Sequence, residues 1–200
     1  MTRADPYAAL ARAIRASGPG SSDFDLNPDA APGDGRVLRP AGVLLAVQDT
    51  PQGPTVILTK RASGLKHHPG QIAFPGGKVD PGDADVVAAA LREADEEVGL
   101  PRDAVEVLGL LPSHETVTGF IVTPVVGRVT RAFTPIPEAG EVQEVFVVPL
   151  SHVTDPARFR VEGRRWRGQR RHYFAVPWGP YYIWGATARI LRGLAERMQP

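Results

Sequence analysis

The residues best equipped for chemistry are three carboxylates, Glu93, Glu96 and Glu97, in the run Arg92-Glu93-Ala94-Asp95-Glu96-Glu97. Their i, i+3, i+4 spacing puts them on one side of a helix, within reach of each other. Val86, Val87, Ala90, Leu91 and Ala94 supply that helix with an apolar face. Asp83 or Asp85 can cap its start, and Gly99 followed by Leu100-Pro101 stops it. Clustered anions near a helix C-terminus repel one another and oppose the helix dipole. A bound hard cation would offset this, because magnesium, manganese and calcium take oxygen ligands. An acidic run alone is more often a solvated helix face, so the surrounding residues decide between the two.

Those residues form a pattern. Gly77, Asp83, then Arg92-Glu93-x-x-Glu96-Glu97-x-Gly99-Leu100 resembles the Nudix box, Gx5Ex7REUxEExGU with U aliphatic. Asp83 replaces the first Glu, eight residues rather than seven separate it from Arg92, and Ala94 is a small choice for U. The added residue can be absorbed in the loop before the helix. Upstream, LTKRASGLKHHPGQIAFPGG (residues 58–77) resembles the signature of the coenzyme A diphosphatase branch of the Nudix hydrolases. That branch shares the longer spacing and the Asp. Lys66 stands where the branch usually has Arg, which keeps the charge but loses the planar fork that grips phosphate with two bonds.

The resemblance implies metal-dependent hydrolysis of a diphosphate: coenzyme A or its thioesters, giving adenosine 3′,5′-bisphosphate and 4′-phosphopantetheine or its acyl form. Mg²⁺ or Mn²⁺ is the implied cofactor. Glu93 and Glu97 are then the direct ligands, with Glu96 a further ligand or the base and Gly77 contributing its carbonyl. Arg92 can orient Glu96 by an ion pair. Glu144, with Glu115, Glu138 and Glu141, is a candidate for an added ligand or base outside the box. Arg61, Lys66, His67 and Gly76 are the candidate substrate contacts, and His68 and His114 are candidate phosphate contacts or proton carriers. Two other readings stay open: cleavage of another dinucleotide such as ADP-ribose or NADH, and a non-catalytic nucleotide sensor with this fold.

Composition narrows the field. The chain has 200 residues and a net charge of +1, which offers no general attraction to nucleic acid or membrane. The absence of cysteine excludes thiol catalysis, disulfides and Cys-bound zinc. With no membrane-length apolar run and no signal-peptide core, a soluble cytoplasmic protein is expected; the resemblance implies a small-molecule nucleotide partner. Of 23 basic residues 20 are Arg, five of them in residues 164–171, a cluster that could take a 3′-phosphate or RNA or simply be a solvated basic hairpin.

The elements that must position these residues follow in order. Asp5-Pro6 opens an amphipathic helix, a candidate dimer interface, and the Gly/Pro/Ser-rich residues 18–35 read as a linker. Residues 1–35 thus form an N-terminal helix and linker, and 36–200 the catalytic domain, with the box at 77–100. Strands are expected at 40–48, 55–59, 71–74, 105–111, 120–129 and 142–149. A hairpin is expected from 158–160 and 170–176 around a basic turn, then a last strand at 180–184 and a closing helix at 185–198. The expected fold is α/β (α+β): a Nudix-type α/β/α sandwich with a central mixed sheet and a catalytic loop–helix–loop.

Overall fold

The computed structural model of the chain describes residues 5–16, 18–33, 35–66, 68–166 and 168–199. The elements in order are α1 (Pro6–Arg15), β1 (Ser21–Ser22), β2 (Arg39–Thr50), β3 (Gly53–Arg61), β4 (Ile72–Ala73), β5 (Gly76–Lys78) and α2 (Val86–Val98). There follow β6 (Val105–Leu110), β7 (His114–Glu115), β8 (Phe120–Val129), β9 (Val142–Pro149), α3 (Leu150–Val153), β10 (Arg160–Trp166), β11 (Gln169–Ala175) and α4 (Ala186–Arg197). Strands β1 to β9 make one mixed sheet, and β10–β11 a separate hairpin. The fold is the expected mixed central sheet with flanking helices. Among the described residues no helix is long and apolar enough to cross a membrane.

Strand β2 is the axis of the sheet. One edge runs parallel to β8 along its whole length. The other edge is divided: Val47 to Thr50 pair with β3, while Ala41 to Val43 pair with β5. This splay wedges the Gly76–Gly77 backbone into the sheet beside α2. Alternating side chains of β2 then feed two cores. Leu45 and Val47 join Leu10 of α1, Leu150 of α3 and Leu191 of α4. Leu44 and Ala46 join Ala90, Ala94 and Val98 of α2.

Helix α2 begins where Asp85 accepts the N–H groups of Val87 and Ala88 at 2.9 and 2.8 Å. It ends at Gly99, in the left-handed conformation at φ 68°, as a C-terminal cap requires. Its alanine face lets it approach β2 closely. A Cβ on Gly42 would stand 2.1 Å from the Val86 carbonyl oxygen, so only glycine fits there.

The N-terminal segment lies across the sheet's far edge. Ser21–Ser22 pairs parallel with β7. Buried His114 pairs with Ser21 Oγ through Nδ1 (2.9 Å) and with Asp23 through Nε2 (3.2 Å), which ties the N-terminal segment to β7. Asp25 meets Arg189 at 2.7 Å. Asn27 clamps the backbone of His172 in both directions, each at 2.8 Å.

Two expectations are corrected. The hairpin is longer than the sequence suggests: β10 runs through the basic stretch to Trp166 and β11 resumes at Gln169, with Gly168 at φ 82°. Residues 180–184 form isolated bridges, not a strand, because Trp178 and Tyr181 close a tight turn on Gly179-Pro180 and Pro180 has no N–H to donate.

Replacing Gly42 with Ala should destabilise the fold by on the order of 1–3 kcal/mol through overpacking against α2. A urea melt showing an unchanged midpoint would mean that the helix can slide to accommodate a methyl group.

Candidate active site

The loop before α2 is tied to the helix by one guanidinium. Arg92 grips Asp83 with two parallel bonds, Nε to Oδ1 and Nη2 to Oδ2, both 2.9 Å. Its Nη1 donates to Glu93 at 3.0 Å and to Glu96 at 2.9 Å. Its Nη2 also reaches the Lys78 carbonyl at 3.3 Å. The Asp83 side chain is only 5 % exposed. Arg92 first, then the Asp80 N–H, hold its carboxyl down at about 2. These bonds in turn push the guanidinium's own pKa further up. Arg92 therefore fixes the Glu96 rotamer, as the spacing suggests, and fixes Glu93 as well.

The three glutamates separate into two environments. Glu96 points outward, its side chain 56 % exposed, and is held by Arg92. Glu93 and Glu97, one helical turn apart, turn inward beneath the Gly76–Gly77 backbone. Glu97 is 5 % exposed and accepts the Gly76 N–H at 3.0 Å. Burial pushes its carboxyl up to about 7; the Gly76 N–H and Arg61 pull the other way, and the charges of Glu93 and Glu141 add to the rise. Burial also raises Glu93, against the pull of Arg92. A Cβ on Gly77 would sit 2.4 Å from Glu93 Oε1, so the strand rides directly on the carboxylate.

Among the described residues no three acidic or histidine side chains already stand together as a metal cluster. The donor set still fits a hard cation: two adjacent carboxylate-bearing side chains, raised by burial, under a glycine backbone. Among the described residues Glu97 makes no salt bridge, so a divalent ion there would supply positive charge.

The candidate residues outside the box divide as follows. Arg61 and Gly76 border one cavity of about 310 Å³. Lys66 is exposed on its loop, and His67 lies outside the described residues. Glu144 accepts a short hydrogen bond from Tyr181 at 2.5 Å and is thereby engaged away from the helix. Glu141 is the loop carboxylate whose charge reaches both Glu93 and Glu97. Its loop is pinned to the end of α2, with the Glu138 and Ile136 N–H groups donating to the Glu97 and Val98 carbonyls at 2.9 Å. The sequence left unmarked the other cavity neighbours Asp23, Thr118 and Trp184. They come from three distant segments, and no local spacing signals them.

Sheet, splay and acidic helix together define an α+β domain built around a loop–helix–loop carboxylate site. The chain belongs to the Nudix family: the NUDIX domain model matches residues 38–167. It is 46% identical over 157 residues to the uncharacterized Nudix hydrolase NudL of Salmonella paratyphi B, covering 78% of this chain and 81% of that protein. Its fold is similar to the Nudix domain of Shewanella oneidensis NrtR complexed with ADP-ribose (TM-score 0.52, 14% identity, 88% of this chain and 95% of that one). It is also similar to a MutT/nudix family protein from Enterococcus faecalis (TM-score 0.50, 14% identity, 98% of this chain and 75% of that one).

Because its folded pKa is raised, Glu97 favours folding when neutral. That contribution is whole below about 4.5 and is lost as pH rises through about 7. In metal-free protein Glu97→Gln should therefore melt higher than wild type at pH 8, by on the order of 1–3 kcal/mol, and the gap should close at pH 4.5. A gap independent of pH would assign the effect to packing and not to charge burial.

Proposed function

We propose that the protein hydrolyses the diphosphate of coenzyme A or its thioesters to adenosine 3′,5′-bisphosphate and 4′-phosphopantetheine or its acyl form. The observation that carries this reading is the Glu93–Glu97 pair under Gly76–Gly77, where Gly76 both donates to Glu97 and borders a cavity that Arg61 also lines. Residues 58–77, which lead into that turn, carry the pattern that resembles the coenzyme A diphosphatase branch.

Glu93, Glu97 and the Gly77 carbonyl would hold Mg²⁺ or Mn²⁺, with Glu96 joining on release from Arg92. Such a cation would supply charge neutralisation for the diphosphate and acidity for the bound water. Arg92 is a positioning residue: it keeps Glu93 from turning outward and locks the loop through Asp83. Arg61 at the end of β3 and the Gly76 backbone would meet the phosphates, together with Lys66 and His67. Glu141 takes the proton of the attacking water. Glu96 and Glu144 are less suited to that role, because Arg92 and Tyr181 already engage their oxygens.

Incubated with coenzyme A and Mg²⁺ or Mn²⁺, wild type should release adenosine 3′,5′-bisphosphate, and Glu97→Gln should cut the rate by at least ~100-fold. Chromatography of the products reads both. If only ADP-ribose or NADH were cleaved, the substrate would be another dinucleotide, which the Lys66 departure leaves open. Binding of these nucleotides without turnover would make the protein a sensor.

Glu141→Gln should lower kcat by roughly 10²–10⁴-fold, as loss of a general base does, with KM little changed. Glu144→Gln keeps its bond from Tyr181 and should lose less than ~10-fold. The reverse ranking in steady-state kinetics would return the base role to Glu144.

A further inference from the structure

The space beside Gly76 does not end at Arg61. The cavity of about 310 Å³ shares His68, Gln71, Val117, Thr118, Arg171 and Trp184 with an outer one of about 720 Å³. Both volumes are of the size that takes small molecules. The outer cavity is walled by the β10–β11 hairpin, which contributes Arg164, Arg171 and Tyr173.

The hairpin's register is unusual in its charges. Arg164 stands directly opposite Arg171, and Arg165 opposite Arg170. Opposite residues of an antiparallel pair share a face, and like charges so placed are destabilising. The Arg164–Arg171 pair lies on the cavity face. The carboxylate next along that face, Glu162, is engaged by the Tyr182 hydroxyl at 2.6 Å, and Arg164 forms no ion pair among the described residues. The Arg164 guanidinium lies 5.3 Å from the centre of the Trp184 ring. Trp184 stands edge-on to Tyr173 at 5.0 Å. One cavity is thus lined by the Trp184 indole and by two arginines on opposite strands.

A phosphomonoester carries a charge of about −1.5 to −2 near neutrality and accepts bonds from Arg in pairs. An adenine takes an aromatic neighbour. We propose that the outer cavity is a subsite for an adenosine bearing a phosphomonoester on its ribose, the phosphate between Arg164 and Arg171 and the base against Trp184. The proposal rests on the reading that places the diphosphate at the Gly76–Arg61 end. It makes the ribose phosphate, and not the diphosphate alone, the feature by which one nucleotide is chosen over another.

The test is calorimetric binding of adenosine 3′,5′-bisphosphate, adenosine 2′,5′-bisphosphate and AMP to the full chain. Wild type should bind one of the bisphosphates at least ~10-fold more tightly than AMP, the effect of added charge-assisted bonds. Whichever is tighter assigns the 3′ or the 2′ position. Arg164→Ala should bring the ratio to within ~3-fold, and Arg164→Lys should restore part of it. Arg164 is exposed, so neither variant removes core packing. Equal affinities in wild type, or a preference untouched by Arg164→Ala, would overturn the subsite. Coenzyme A turnover is read separately. A bisphosphate preference without turnover leaves the subsite standing and the hydrolase reading fallen; turnover with no preference does the reverse.

Discussion

Arg92 is the constraint on which the site depends. Four carboxylates, those of Asp80, Asp83, Glu93 and Glu96, lie within 4 Å of its guanidinium. A planar fork with five donors can serve several acceptors at once, and a lysine cannot. The bidentate grip on Asp83 closes the loop, and the remaining donors sort the helix glutamates. Glu96 is drawn outward and Glu93 is held at the edge. Glu97 is left buried and, among the described residues, makes no salt bridge. The charge imbalance is thereby concentrated at the place where a cation would relieve it, and not spread over the helix face.

The sheet makes that concentration possible. Two carboxylates can be held under a backbone only if the helix carrying them lies very close to the strand beside it. The absence of a side chain at Gly42 brings α2 down, and the splay of β2 between β3 and β5 opens the slot for Gly76–Gly77. The alanines of α2 seal the same contact from below. Packing that favours close approach and burial that disfavours charge therefore act on the same few residues. The stability lost by burying a charged Glu97 is part of what a bound cation would recover.

What was legible in the sequence is what is decided locally. Asp85, Gly99 and the alanine spacing specify α2 within one stretch of chain, and the alternation of β2, β3, β8 and β9 specifies a two-faced sheet. The order of the elements then fits one known architecture. Choosing between Glu141 and Glu144 was beyond local reading. A register shift between Lys60 and Arg61 separates them, so strand alternation does not carry from one to the other. His114 looked like chemistry because histidine is a common proton carrier; only a partner 93 positions away shows it to be pinned. Residues 180–184 had strand-like composition, but the turn before them consumes the backbone groups that a ladder would need.

The N-terminal segment illustrates the same limit and connects it to selectivity. Residues 18–35 read as a linker because Gly, Pro, Ser and Asp dominate them, and composition of that kind does pack poorly by itself. Here the polar residues are the contacts. Asp25 meets Arg189 of α4, Asn27 bonds the β11 backbone in both directions, and Asp23 reaches both His114 and the Val117 N–H. The hairpin is not part of the main sheet; the Asn27 clamp is one of the contacts that fix its position. The inner carboxylate site is held by α2 and β5, whereas the outer cavity wall is held in part by this strap. The proposed chemistry and the proposed substrate selection would thus reside in parts of the chain that can vary separately, since changes in residues 21–27 would alter the outer wall without touching Arg92 or its glutamates.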